Sequence, residues 1–203
     1  MSAASGSGEA RDQGALTLRA LTEDDLPAVD PWFADPETVR RLGGPDWPRR
    51  LLVLARAPGR HAFLALAGGE PVGLADVEEE PGPPSRAVLA LLVAPGRRGQ
   101  RVGRRILDAL AGRRELEDVP VLAGEVEAGN AAGLALARAA GGAPSGRATS
   151  AGFVALARPR DPGAARAVAL EHRLLLPEVR RDPAAVLALL HPDFREIGAS
   201  GRT

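Results

Sequence analysis

Polar and apolar positions along the chain switch between two periods. Leu16-Thr17-Leu18-Arg19 alternates, as a half-buried strand does. Thr22-Glu23-Asp24-Asp25-Leu26 then offers an N-cap with acids in a first helical turn, at the positive end of the helix dipole. Residues 35–42 predict a second short helix, with Pro36 in its first turn and Gly43-Gly44 at its stop. Residues 62–67 predict a strand, residues 68–71 a hairpin-type turn and residues 72–78 the return strand. The Pro-rich stretch 79–84 cannot continue a sheet. An apolar run over 87–93 predicts a buried strand that stops at Pro95, Val102, Ile106, Leu107 and Leu110 recur at helical spacing, and a helix is expected over 103–113. A further strand is expected over 119–126. A helix over 130–142 follows, with Asn130 as N-cap and glycines at its stop, and residues 153–157 supply a closing strand. Strands and helices interleaved in this way predict an α/β domain over about residues 15–158.

The two ends read differently. Residues 1–14 are rich in Ser, Gly and Ala and predict a disordered tail. Residues 159–166 are rich in breakers and predict a linker. Beyond it, residues 164–177 pattern as an amphipathic helix. Residues 182–190 start another with Pro183 in its first turn, and residues 191–201 turn into a strand.

Composition narrows the picture. A chain of 203 residues suits one domain with an appendage, and its 45% hydrophobic content suffices for a core. Aromatics are only 3%, so Leu, Val and Ala must build that core. Acidic and basic residues balance at 26 each, which gives no general affinity for polyanions, and no nucleic-acid partner is expected. Every basic residue is Arg, so a Schiff-base or lysine-nucleophile mechanism is excluded. The absence of Cys excludes disulfides, thiolate metal sites and a cysteine acyl-enzyme. His61, His172 and His191 are scattered, and no metal is expected. Residues 1–14 lack an apolar targeting core and no run is long enough to span a bilayer, so the expectation is a soluble cytoplasmic protein with no membrane partner.

The candidate chemistry centres on residues 93–107. A strand, a Gly- and Arg-rich turn and a helix start bring unpartnered N–H groups to the positive end of a dipole, ready for a phosphate or pyrophosphate. Gly99 and Gly103 let the backbone approach closely, and five arginines between Arg97 and Arg105 supply anion-pairing side chains.

The order strand, Val-x-Pro, x-x-Arg-Gly-x-x-x-Gly, helix resembles the acyl-CoA-binding motif of the GNAT N-acetyltransferases. Their signature is Gln/Arg-x-x-Gly-x-Gly/Ala. Arg98 matches its first residue and Gly103 its last, while Arg101 stands at the middle glycine. Asn130 to Gly142 is similar to the family's second signature, Asn-x-x-Ala-x-x-Leu-Tyr-x-x-x-Gly-Phe. Asn130, Leu136 and Gly141 match, and Gly133, Ala137 and Gly142 depart from it.

The resemblance implies the GNAT acyl-CoA N-acyltransferase fold, a mixed central sheet flanked by helices. It implies acetyl-CoA as co-substrate and transfer of the acetyl group to a primary amine of a small molecule or peptide by direct attack. The CoA-binding set it implies is Leu91, Val93, Arg98, Gly99, Gln100, Arg101, Val102, Gly103, Arg104 and Asn130. Asn130 is equally explained as a helix cap. The family's tyrosine commonly protonates the departing thiolate, and Ala137 replaces it in a chain without tyrosine. The alternative is therefore a weak or inactive acyl-CoA-binding module with a sensor or interaction role.

Deprotonating the amine calls for a carboxylate facing the cleft. Asp76 and Glu78 share one face of their strand and are the candidate general bases, as Glu125 and Glu127 share a face of theirs. Trp32, Phe33 and Trp47 either pack in the core or line the acceptor pocket. Residues 167–203, with Leu-Leu-His-Pro-Asp-Phe near their end, resemble the start of an NTF2-like (SnoaL-related) domain cut short. His191 and Asp193 there read as turn residues. A homodimer through this segment is a further partner held open.

Overall fold

The computed structural model describes residues 15–147 and 149–190, which form two compact units divided after Asp118. The tail expected at 1–14 and the turn expected at 191–201 lie outside the described residues.

The first unit runs β1 (Leu16–Ala20), α1 (Leu26–Val29), α2 (Pro36–Leu42), α3 (Trp47–Leu54), β2 (Arg60–Ala67), β3 (Glu70–Glu80), β4 (Arg86–Val93) and α4 (Val102–Ala111). Its four strands pair antiparallel in sequence order. β2 and β3 meet through Gly68-Gly69, both at positive φ, the two-residue turn whose twist matches the strands it joins.

Alternation sends Ala62, Leu64, Leu74 and Leu92 to one face, where they pack with Val29, Phe33, Trp47 and Leu51 from the helical layer. Phe33 and Trp47 are core residues, their rings 6.3 Å apart. Trp32 is half-buried against the same cluster. The helix α3 is not anticipated by the polar pattern. Pro48 in its first turn is the available signal, and Leu51, 2% exposed, is its anchor in the core. On α4, Ile106 and Leu110 are fully buried, as the spacing predicts.

The second unit runs β5 (Val121–Glu127), α5 (Ala131–Ala139), β6 (Ala143–Pro144), β7 (Phe153–Pro159), α6 (Pro162–Leu174), α7 (Pro177–Arg180) and α8 (Pro183–Leu187). β7 pairs antiparallel with β5 and with β6, a two-residue strand that the pattern does not predict. α5 starts on Asn130, whose Oδ1 accepts from Gly133 N–H at 2.9 Å. It stops on Gly141 at φ +85°, where Gly142 N–H donates to Ala137 C=O and Gly141 N–H to Arg138 C=O. This is the paired closure of a left-handed helix stop. Gly141 has a second reason to be glycine: a Cβ there would lie 2.1 Å from the Ala165 carbonyl oxygen on α6.

The linker expected at 159–166 is mostly helix. α6 begins at Pro162, Asp161 caps it by accepting from Ala164 N–H at 2.7 Å, and Ala165 is buried. Among the described residues no helix is long and apolar enough to cross a membrane.

Candidate functional site

β4 delivers the chain into the loop as the sequence predicts. Leu91 pairs with Ala75 and Val93 with Gly73 on β3, and Ala94 N–H continues the ladder to Val72 C=O at 3.0 Å. Pro95–Arg97 makes one tight turn, Arg98 is extended, and the chain then enters α4. Gln100 Nε2 donates back to Gly96 C=O at 3.1 Å and closes the loop on itself.

Two features of this turn bear on what it could hold. Among the described residues nothing accepts from the N–H groups of Gly99, Gln100, Arg101, Val102 and Gly103. These donors lie in the loop before α4 and in its first turn, at the positive end of a ten-residue helix. The second feature is Arg101, which lies at φ +59°, ψ +12°, a left-handed conformation that favours glycine. The glycine of the motif is gone, but the backbone path that a glycine would take is kept.

The arginines divide the work. Arg104 pairs with Asp108 on α4 at 2.8 Å. Among the described residues Arg97 and Arg101 have no acidic partner and lie exposed beside the loop. Arg98 turns aside: its Nη2 donates to Asp35 Oδ2 and to Thr38 Oγ1, each at 2.7 Å. Asp35 is the N-cap of α2 and also accepts from Thr38 N–H and Oγ1–H. The Arg98 guanidinium first, then the two Thr38 donors, hold its carboxyl below the ordinary value.

Asp76 and Glu78 stand together on β3. Asp76 is flanked across the ladders by Ala62 on β2 and Ala90 on β4, so two methyl groups are its cross-strand neighbours. Its row follows the core row Leu64, Leu74 and Leu92, which puts the carboxylate at the margin of the apolar cluster with its side chain 20% exposed. Burial raises its proton affinity above the ordinary carboxylate value, with the Glu78 charge adding and Arg60 opposing. Arg60, from β2, lies 3.9 Å from Asp76 and pairs directly with Glu78. Asp76 faces Ala90, three residues before Val93, or about 10 Å along β4 from the start of the loop.

No residue pattern pointed to Arg60 or Thr38 as site residues, and Asp35 was visible only as the start of the helix expected over 35–42.

The second unit holds the remaining expected residues. Asn130 is occupied as a cap through Oδ1. Gly133 departs from the family's alanine for a local reason, because a Cβ there would lie 2.7 Å from Asn130 Nδ2 and 3.0 Å from Val126 Cγ1. Ala137 is half-buried on α5 and offers no proton donor. Glu125 is exposed and Glu127 half-buried. In the first unit, a shallow depression lined by Gly112, Arg113, Arg114, Glu115 and Glu117 lies at the far end of α4, roughly 15 Å along the helix from the loop. It contains none of the expected site residues.

A meander capped by helices, a strand running into an unpartnered amide cradle and a helix start behind it define an acyltransferase-type α/β domain. Residues 19–141 match the model of the Acetyltransferase (GNAT) family, and the chain belongs to that family. Among solved structures it is similar to an acetyltransferase from Thermus thermophilus, with 26% identity and TM-score 0.61 over 72% of this chain and 98% of that one. An acetyltransferase from Agrobacterium tumefaciens matches at 24% identity and TM-score 0.57, over 70% of this chain and 89% of that one. The aminoglycoside acetyltransferase AAC(6')-Ib in complex with coenzyme A matches at 20% identity and TM-score 0.60, over 72% and 96%. No curated protein matches the chain. The family match stops at residue 141, and nothing in these likenesses supports the NTF2-like reading of residues 167–203.

Proposed function

We propose that the chain is an N-acetyltransferase that moves the acetyl group of acetyl-CoA to a primary amine of a small molecule or peptide. The observation that carries this reading is the loop between β4 and α4. Its five free N–H groups, the α4 dipole and the uncommitted Arg97 and Arg101 together suit a pyrophosphate. The solved structure of AAC(6')-Ib, a complex with coenzyme A, supports the same choice of co-substrate.

In this reading Gly99 to Gly103 hold the pyrophosphate through the backbone, Arg104 stands at the helix entry, and Leu91 and Val93 lead the pantetheine arm along β4. The amine nitrogen attacks the thioester carbonyl, the C–S bond breaks, and CoA leaves as the thiolate. Asp76 accepts the proton that the amine loses, directly or through a water, while Glu78 and Arg60 set the charge around it. A carboxylate of raised proton affinity at the margin of an apolar cluster is suited to that task. Water protonates the thiolate, because Ala137 cannot.

A second reading rests on Ala137 alone: the chain holds acetyl-CoA and turns it over slowly or not at all. Thiol release from acetyl-CoA, measured against a panel of primary amines, separates the two. Amine-dependent release above the protein-free rate supports transfer. CoA binding without release on any amine favours the binding module.

A further inference from the structure

We propose that Arg98 is a positioning residue that bridges a phosphate of bound CoA to the start of α2, so that filling the loop seats the helical layer beside Asp76. The inference rests on the acyl-CoA reading of that loop. Nη2 of Arg98 is engaged on two oxygens of the α2 start, Asp35 Oδ2 and Thr38 Oγ1. Among the described residues Nε and Nη1 have no acceptor. A guanidinium is a rigid fork of five donors and serves two acceptors on different edges at once.

One end of the bridge is fixed. Thr38 is only 2% exposed, and Asp35 is held ionised by Arg98 while it caps the helix. The other end adjoins Gly99, where the run of free N–H groups begins. The contact joins residues 63 positions apart in the chain.

What α2 carries makes the bridge consequential. Leu42, at its end, packs with Phe33, Trp47 and Leu51 on the strand face that holds Leu64, Leu74, Leu92 and Ala90. Ala90 is the cross-strand neighbour of Asp76. A phosphate that restrains the guanidinium also strengthens its grip on Asp35, and the coupling is reciprocal. The approach of an acceptor to Asp76 is thereby linked to occupancy of the loop.

The test is hydrogen exchange of the peptide covering residues 36–42, with and without saturating CoA, on the full chain. The parent is compared with Arg98→Ala and with Asp35→Asn, and CoA binding is titrated on each. Asparagine keeps an oxygen for the helix cap while removing the charge that Arg98 grips, so the result does not depend on Arg98→Ala alone. The expected outcome is that CoA slows exchange of this peptide by about fivefold in the parent and leaves it unchanged in both variants at saturating CoA. Each variant binds CoA at least about fivefold more weakly, the same coupling read from the other side. A merely structural contact would loosen α2 in the variants and leave the CoA-induced slowing intact, which overturns the bridge. CoA binding to the parent without any slowing overturns it too, and leaves the acyl-CoA reading standing. Failure of CoA to bind the parent overturns the acyl-CoA reading and the bridge with it.

Discussion

Arg101 offers a test in which strain and charge are separated by two substitutions at one position. Its φ of +59° places a side-chain-bearing residue where a Cβ crowds the backbone, a cost of about 1–2 kcal/mol. Arg101→Ala and Arg101→Gly both delete the guanidinium, but only glycine relieves the strain. Glycine returns some of the gain as unfolded-chain entropy, about 0.5–1 kcal/mol. The glycine variant should therefore be more stable than the alanine variant by about 1 kcal/mol. In a chain of this size that is about 2–4 °C in melting temperature. Urea unfolding of the three proteins side by side reads the difference. Equal stability of the two variants, or a more stable alanine variant, would refute the left-handed assignment of this residue. Charge is read separately by titration of CoA at low and high salt. An exposed cation contributes up to about 1 kcal/mol, so both variants should bind CoA up to about fivefold more weakly at low salt and approach the parent at high salt. Parent-like affinity at low salt would remove Arg101 from the phosphate.

Three further outcomes follow from the geometry. Asp76→Asn should lower amine-dependent thiol release at least about a hundredfold. Because the fold raises the Asp76 proton affinity, its contribution to stability is present below about pH 4 and is lost as pH rises through the folded value, so the variant should gain on the parent toward neutrality in urea melts across pH; full retained activity removes Asp76 from the chemistry. Asp25 shows the opposite sign: hydrogen bonds from Arg19 first, then from Thr22, lower it to about 2 against burial. Asp25→Asn should cost up to about 2 kcal/mol at neutral pH, with the gap closing as pH falls from about 4 to about 2, and a gap that persists in acid contradicts the assignment. Gly141→Ala adds left-handed strain to a clash with the Ala165 carbonyl and should cost about 2–4 kcal/mol in urea unfolding, while a cost under about 1 kcal/mol would mean that α6 yields freely.

The parts legible in the sequence are those set by local rules. The run from β4 through the turn into α4 is visible because strand, breaker and helical spacing follow one another within about fifteen residues. The Asn130 cap and the Gly141 stop are visible because capping chemistry is local. α3 escapes the pattern because eight residues with a short apolar run do not establish a period.

The Arg60 pairing is hidden by a bulge. Counting back from the Gly68-Gly69 turn sets Arg60 against Val77, on the face away from Asp76. The register shift between Ala65 and Leu66 moves it to Glu78. The grip of Arg98 on Asp35 spans the helical layer and the meander, and no spacing rule reaches that far. Arg101 departs from the motif as a residue, and its backbone conformation keeps the geometry that the motif's glycine would supply.

The central claim is that the loop holds an acyl-CoA. The measurement that tests it most directly is calorimetric titration of acetyl-CoA and CoA into the parent and into Gly103→Glu, which sets a bulky anion at the helix start. Gly103 is buried, so Arg101→Glu, at an exposed position in the same loop, is run beside it with circular dichroism on both. The account predicts micromolar binding to the parent, at least about a hundredfold loss in folded Gly103→Glu, where a like charge is set against the pyrophosphate, and roughly tenfold loss in folded Arg101→Glu, whose exposed charge is reversed. No binding to the parent, or unchanged binding to both folded variants, would contradict it.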